Sequence, residues 1–429
     1  MKALAPGFRS WRWLRAAATY DFFPSFSTRV RAWVYNPLGI LMCAGVASLL
    51  CGFFLHAQGF ILAGGVAAVA VLGVLWPVAA LRGLSGSLGF DRPRAEEGDE
   101  VGVILTLRNR LPVAAWGLAV RGGFGGDPAR AVAGITAAPA RRVAVCRWLV
   151  VLTHRGVYPL APPRLTSGFP FGLWDHARCL TVGERLVVWP RTYPVGPVPP
   201  VGGDRQVEGI VSRNKVGTNG DVVGVRPYRR GDSLRRIHWG QSAKHDRLVV
   251  CELQSNSRPL IQLVLDADPR AHSGSGADGS REWAVRVVAS LAKGWLAAGA
   301  RVGLAWGGFD LPPASGMAQT CAVLDALAGL PDVVDQPLTD VLACPVCRGF
   351  RDGLQVVVTT DRTQAGDGCG ACAGESQRWV VLSADGFGAP ASGGQPAGPS
   401  GAEAWLRIGS PAEAPALLRG GWREARHGS

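Results

Sequence analysis

Two C-x-x-C pairs, Cys344-Pro-Val-Cys347 and Cys369-Gly-Ala-Cys372, have the most recognisable spacing for chemistry in this sequence. The 21 residues between them are close to the spacing of four-Cys zinc sites, where thiolates close a tetrahedron around the ion. The intervening run Leu354 to Thr360 reads as a strand, however, and at about 3.3 Å per residue it would hold the pairs roughly 20 Å apart. Unbound surface thiols are the competing reading, and zinc is the one cofactor the spacing offers. A second chemistry is electrostatic. From Gly224 to Glu252 seven cations (Arg226, Arg229, Arg230, Arg235, Arg236, Lys244 and Arg247) face only Asp232, Asp246 and Glu252. Gly231 allows a turn, and Asp232 can cap a short helix with Leu234, Ile237 and Trp239 on its apolar side. The basic side of such a helix suits a phosphate or an acidic partner. The plainer reading pairs Asp232 with some of these arginines as a brace between domains.

Catalytic patterns are missing. There is no G-x-x-x-x-G-K, G-x-S-x-G or H-E-x-x-H, and His56, His154, His176, His238, His245, His272 and His427 show no ligand spacing. No catalytic residue is assigned, and the chain is expected not to be an enzyme. The formal charge is +13, and only Lys2, Lys215, Lys244 and Lys293 among the 45 basic residues are lysines, so the charge is almost all guanidinium. That suits lipid headgroups, nucleic acid or acidic proteins. Nucleic-acid binding would need exposed aromatics interleaved with the cations or a recognisable reading module, whereas the Arg cluster reads as sitting on a domain joint beside a bilayer.

The elements that position these groups begin with a membrane anchor. No Asp, Glu, Lys or Arg occurs between Arg31 and Arg82, and the stretch divides into 37–55 and 59–81 around His56 and Gln58. Each half has the roughly 20 apolar residues that a bilayer crossing needs, which predicts a transmembrane helical hairpin over 37–82. Lys2, Arg9, Arg12, Arg15, Arg29 and Arg31 precede it, and Arg82, Arg92 and Arg94 follow it, so both ends are expected to be cytoplasmic. Gly39, Gly45, Gly52, Gly64, Gly65 and Gly73 permit close helix approach, within one chain or in a homo-oligomer.

Beyond the basic segment 1–36 and the hairpin, residues 90–192 show short β-type runs between Gly- and Pro-rich turns, the pattern of a small β-sandwich. Within it, Phe169-Pro-Phe-Gly-Leu-Trp174 reads as an aromatic plug at the bottom of that domain or at its joint with the next. From Leu260 the chain alternates apolar strands (260–266, 301–306, 354–360, 379–383) with amphipathic helices (281–298, 317–330), which predicts a parallel α/β sheet over 258–385. Residues 386–429 form a Gly-, Pro- and Ala-rich segment with a last short strand near Trp405.

The basic segment 204–257 resembles the family called domain of unknown function 58. The signature runs Arg-x-Tyr-x-x-Gly-Asp, then Arg-x-Ile-x-Trp, then Ser-Ala-Lys, and it is met by Arg226, Tyr228, Gly231, Asp232, Arg235, Ile237, Trp239, Ser242, Ala243 and Lys244. Pro-Phe-Gly-Leu at 170–173, the Arg155-Gly156 turn and the N-terminal hairpin are similar to the family as well. The resemblance implies that the α/β domain is von Willebrand factor A-like and that the partner is a MoxR-type AAA+ ATPase. The basic face of the segment is where partner or anion binding is expected, on Arg226, Tyr228, Arg229, Arg230, Asp232, Arg235, Arg236, Trp239 and Lys244. Von Willebrand A domains bind Mg²⁺ through Asp-x-Ser-x-Ser, because a hard cation takes oxygen ligands in near-octahedral array. This chain has Asp266-Ala-Asp268-Pro-Arg270, a degenerate version with a cation where the ion belongs, and Asp361 stands as a remnant distal ligand.

The function this implies is a non-catalytic adaptor in the inner (plasma) membrane, its soluble domains cytoplasmic, working with the ATPase to assemble or activate other complexes. The alternatives are a membrane-bound enzyme or zinc-binding protein, and a basic nucleic-acid-binding protein; no nucleic acid is expected.

Overall fold

The structure, a computed structural model, describes residues 36–125, 130–197, 222–229, 234, 237–253, 259–274, 276–350, 353–363, 377–387 and 404–424. The described residues form two compact units. The first is drawn from 36–93, 101–150 and 158–186, the second from 94–100, 151–157 and 187–424. This division crosses the expected 90–192 body.

The first unit opens with α1 (Pro37–Phe54) and α2 (Gln58–Arg82), both long and apolar enough to cross a membrane. Pro37 sits in the first turn of α1, where a missing N–H costs nothing. Glycine sets the helix contact: a Cβ on Gly59 would lie 2.3 Å from the Gly52 nitrogen, and one on Gly45 would touch Val66. Only small residues let two backbones approach so closely. At the far end of α2, Arg178 Nη1 donates to the carbonyls of Leu81 (3.0 Å), Arg82 (2.9 Å) and Leu84 (2.6 Å), so a cation satisfies the acceptors the helix terminus leaves open.

Two four-stranded sheets follow. One orders Thr181–Val182, Leu84–Phe90, Glu100–Asn109 and Val143–Val151, and the other orders Ala131–Ala138, Ala115–Arg121, Arg164–Ser167 and His176–Cys179. The alternation of buried Val101, Val103, Leu105 and Leu107 with more exposed neighbours is the period of a half-buried strand. Val103, Leu105 and Leu107 share one core with Leu118, Val120 and Leu165 of the other sheet.

The expected aromatic plug is not formed. Phe169, Phe171 and Trp174 are 38%, 48% and 50% exposed, and Phe171 and Leu173 lie against Gly73 of α2, where an added Cβ would meet Leu173 Cδ1 at 2.5 Å. A five-residue turn closed by Gly172 N–H donating to the Gly168 carbonyl turns these side chains outward rather than into the core.

The second unit contains a six-stranded sheet: β1 (Leu260–Leu265), β2 (Arg301–Trp306), β3 (Phe309–Ala314), β4 (Leu354–Thr360), β5 (Gln377–Leu382) and β6 (Ala404–Ile408), in the order β3-β2-β1-β4-β5-β6. All pairings are parallel except β2 with β3. The helices are α3 (Trp239–His245), α4 (Ser280–Ala297), α5 (Met317–Ala328), the short α6 (Leu338–Ala343) and α7 (Pro345–Gly349), and α8 (Ala414–Glu424).

Both faces of the sheet are covered, which explains the unbroken apolar strands. Ile261, Leu263, Leu265, Val356 and Val358 meet Trp283, Val287, Val288, Leu291 and Trp295 of α4 together with Leu327 and Leu418. Val264, Val357 and Val381 meet Leu338, Val341 and Cys347. The sheet therefore extends past residue 385, and α8, inside the Gly/Pro/Ala-rich segment, packs on its core.

Two sequence-distant segments join this unit. Arg94 to Glu96 pairs in parallel with Val187 to Trp189, and Arg94 forms a bidentate ion pair with Asp325 (3.1 and 2.8 Å). Next to it, the buried Glu97 accepts from Arg286 Nε (2.9 Å) and from the backbone N–H groups of Arg155 (2.9 Å) and Arg191 (3.1 Å). Arg155 in turn donates from Nε to the Leu327 carbonyl at 2.9 Å and pairs with Glu282. The Arg155-Gly156 turn is thus fixed by a buried ionic network within the second unit.

Candidate functional site

The signature segment forms a two-stranded antiparallel hairpin, Val222–Pro227 against Val249–Leu253, with α3 between the strands in sequence. Its fixed points are small and polar. The buried Ser242 donates to the His238 carbonyl at 3.0 Å and accepts from the Val249 N–H at 2.9 Å, tying α3 to the returning strand. His238 caps α3 by accepting from the Gln241 N–H (3.2 Å), and Asp246 closes it in the left-handed conformation. The role of Ser242 was hidden in the motif: its spacing from Val249 is a helix-to-strand return that a local reading does not see.

Leu234, Ile237 and Trp239 do not share the one apolar side expected of them. Ile237 is buried and pairs as an isolated bridge with Val250, while Leu234 (64%) and Trp239 (68%) are exposed. The bridge takes Ile237 into extended backbone, so α3 starts only at Trp239. Of the expected binding residues, Arg229, Trp239 and Lys244 are exposed and Arg226 and Tyr228 half-buried. Arg230, Asp232, Arg235 and Arg236 lie outside the described residues, so the proposed cap by Asp232 does too. Leu234, Trp239, Leu248 and Val225 are exposed, as are Arg229, Lys244 and Arg247 of the same segment. An exposed indole in a segment rich in cations has the composition of a protein-docking hot spot.

The degenerate Mg²⁺ motif is held by the protein's own groups. Asp266, 1% exposed at the end of β1, takes hydroxyl hydrogen bonds from Thr359 and Thr363 on Oδ2 (both 2.7 Å) and an N–H from Asp268 on Oδ1 (3.3 Å). Asp268 receives the Arg270 backbone N–H and the Arg270 guanidinium at 2.9 to 3.1 Å. Burial pushes the Asp268 carboxyl up, but Arg270 outweighs this and holds it below the usual range. Asp361 accepts from Ser383 Oγ (3.1 Å) and the Ala384 N–H (2.9 Å). Among the described residues no three His, Cys, Asp or Glu side chains converge as a metal set. A site whose oxygens already accept from two threonines and a guanidinium does not fit a hard cation.

His272 sits beneath this cluster, with Nε2 2.8 Å from the Asp266 carbonyl and Nδ1 3.1 Å from Ser280 Oγ. Nε2 therefore carries the proton, and Nδ1 accepts. Burial lowers its pKa below the ordinary 6.5, against the pull of Asp266 and Asp268, with Arg281 adding to the lowering. The unfolded chain then binds a proton near pH 6.5 that the folded chain refuses, so stability falls as pH drops through that region. We expect thermal melts of the detergent-solubilised chain to lose several degrees between pH 7 and pH 5, and His272→Asn to flatten that slope. An equal slope in both would remove His272 as the cause.

Cys347 is buried against Val341, Leu338 and Trp379, and its thiol is pushed up to about 12, first by burial and then by Cys344 and Asp310. Cys344 Sγ accepts from the Cys347 N–H at 3.5 Å. Burial this deep disfavours the thiolate that zinc requires. Cys369 and Cys372 lie outside the described residues.

Residues 224–364 match the family model described as Protein of unknown function DUF58, which takes in the signature hairpin and β1 through β4. No curated protein matches the chain. One solved structure, a Paenibacillus sp. cycloisomaltooligosaccharide glucanotransferase complexed with cycloisomaltoheptaose, aligns at 11% identity over 70% of this chain and 49% of its own, with a TM-score of 0.17. The chain spans about half the length of that enzyme, and so poor a superposition carries no argument.

Proposed function

Because residues 224–364 belong to the family of unknown function DUF58, we propose that this chain is a membrane-anchored, non-catalytic adaptor working with a MoxR-type AAA+ ATPase in the assembly or activation of other protein complexes. On this reading α1 and α2 form a multi-pass anchor in the inner (plasma) membrane, with both flanks cytoplasmic by their positive charge. The two four-stranded sheets act as a β-sandwich spacer, and the six-stranded sheet with its helices is a von Willebrand A-like receiving domain. The observation that carries the proposal is Trp239, 68% accessible at the start of α3 in the signature segment, where Arg229 and Lys244 are exposed as well. An indole left in water on a family-defining segment is best explained by a protein that covers it.

The test is an affinity pull-down from solubilised membranes with nucleotide present, comparing wild type with Trp239→Ala. A hot-spot tryptophan is worth about 2 kcal/mol or more, roughly thirtyfold in binding. Recovery of an AAA+ ATPase by wild type and its loss from a variant of unchanged melting temperature supports the adaptor. Wild type that recovers no such ATPase removes it.

A further inference from the structure

We propose that the turn 169–174 is an additional membrane-contacting element, an aromatic anchor seated in the headgroup region of the bilayer beside α2. This rests on reading α1 and α2 as bilayer-spanning and goes beyond it, since the turn belongs to neither helix.

Three observations carry it. The first is depth. Gly45 faces Val66 and Gly52 faces Gly59, so the two helices advance in step and the first turn of α1, at Pro37, falls level with about Val74 of α2. The apolar slab common to both helices therefore ends near Gly73, and α2 continues past it toward Arg82. The second is where protein cover begins. Upstream of Gly73 α2 buries only Gly59 and Ala63 and leaves Ile61, Leu62 and Val71 exposed, whereas beyond it Gly73, Pro77, Ala80 and Leu81 are buried and Leu75, at 61%, stays open on another side of the helix. Phe171 and Leu173 make the first of that cover, at Gly73 itself. The turn thus lies at the boundary where lipid contact gives way to protein.

The third is composition. Gly168 to Trp174 carries no charge, and its Phe169, Phe171 and Trp174 are each about half exposed. The flanking charges are engaged behind it: Asp175 with Arg121 at 3.0 Å, and Arg178 on the carbonyls at the end of α2. Half-exposed aromatics next to a lipid-facing helix, backed by cations, have the arrangement of the aromatic belts at membrane surfaces, where an amphipathic ring settles at headgroup level. Continuity with the bare surface of α2 favours lipid over a protein as the occupant.

The experiment uses the full chain labelled with 5-fluorotryptophan in phosphatidylcholine nanodiscs. The fluorine resonance missing from Trp174→Phe, a change that keeps an aromatic ring in place, identifies Trp174. We expect doxyl-labelled lipid carrying its spin label near the headgroup to broaden that resonance at least tenfold more than a water-soluble gadolinium chelate does. Broadening by the chelate alone, or by neither probe, overturns the anchor; the latter result indicates cover by protein. Alkaline carbonate extraction of native membranes separates the two readings. A chain released by carbonate overturns the spanning helices and the anchor together, whereas a chain retained with Trp174 unaffected by the lipid probe overturns the anchor alone.

Discussion

Replacing Glu97 with Ala is expected to destabilise the chain by about 3–5 kcal/mol, the usual cost of removing one member of a buried ion pair. The carboxylate and its partner Arg286 are 5% and 9% exposed, so neither is screened by solvent, and both Glu97 oxygens are fully used by Arg286 and by the backbone N–H groups of Arg155 and Arg191. Its surroundings raise the cost further. Arg155 is already pushed down to about 10, chiefly by burial and next by Arg281, with Glu97 the leading opposing influence. Without Glu97, the Arg155 and Arg286 guanidinium groups face Arg281 with less compensating charge. Glu97→Gln keeps one carbonyl acceptor for a backbone N–H and should cost clearly less than Ala. Thermal denaturation in detergent measures both, and a Glu97→Ala variant melting within a degree or two of wild type would show the network to be dispensable.

That network marks where reading the sequence stops. Glu97 meets Arg286 across 189 residues and Arg155 meets Leu327 across 172, and no local period announces such partners. By contrast β1, β2 and β4 are legible because a strand buried on both faces must be apolar throughout, and α4 because its apolar residues return every three to four positions. The edge strand β3 escapes notice for a physical reason. Phe309-Asp-Leu-Pro-Pro-Ala314 contains two prolines, which argue against a strand except at a sheet edge, and an edge is where β3 lies. The apolar side expected of Leu234, Ile237 and Trp239 is split because Ile237 finds Val250, a partner that only the returning strand supplies. The six aromatic-turn residues were visible, but not the Gly73 surface that turns them from a core plug into a rim.

Asp266 shows the same limit in a functional setting, since its position at a strand end suggests a cation while its partners lie 93 and 97 residues away. With Thr359, Thr363 and the Asp268 N–H all donating to it, the carboxylate is expected to be a structural pin between β1 and the end of β4. Asp266→Ala then leaves the buried Thr359 and Thr363 hydroxyls short of their acceptor, at about 2–4 kcal/mol. A metal ligand behaves differently. Mg²⁺ at a hundredfold above its dissociation constant would stabilise the folded chain by about 2.7 kcal/mol, and loss of the ligand would abolish that gain. We expect millimolar Mg²⁺ to leave the melting temperature of wild type unchanged while Asp266→Ala lowers it by many degrees. The reverse pattern, a magnesium-dependent melt that Asp266→Ala abolishes with little intrinsic loss, would give Arg270 a new meaning as a displaceable surrogate for the cation. In the pattern expected here, Arg270 holds the Asp268 carboxylate in the place a cation would take.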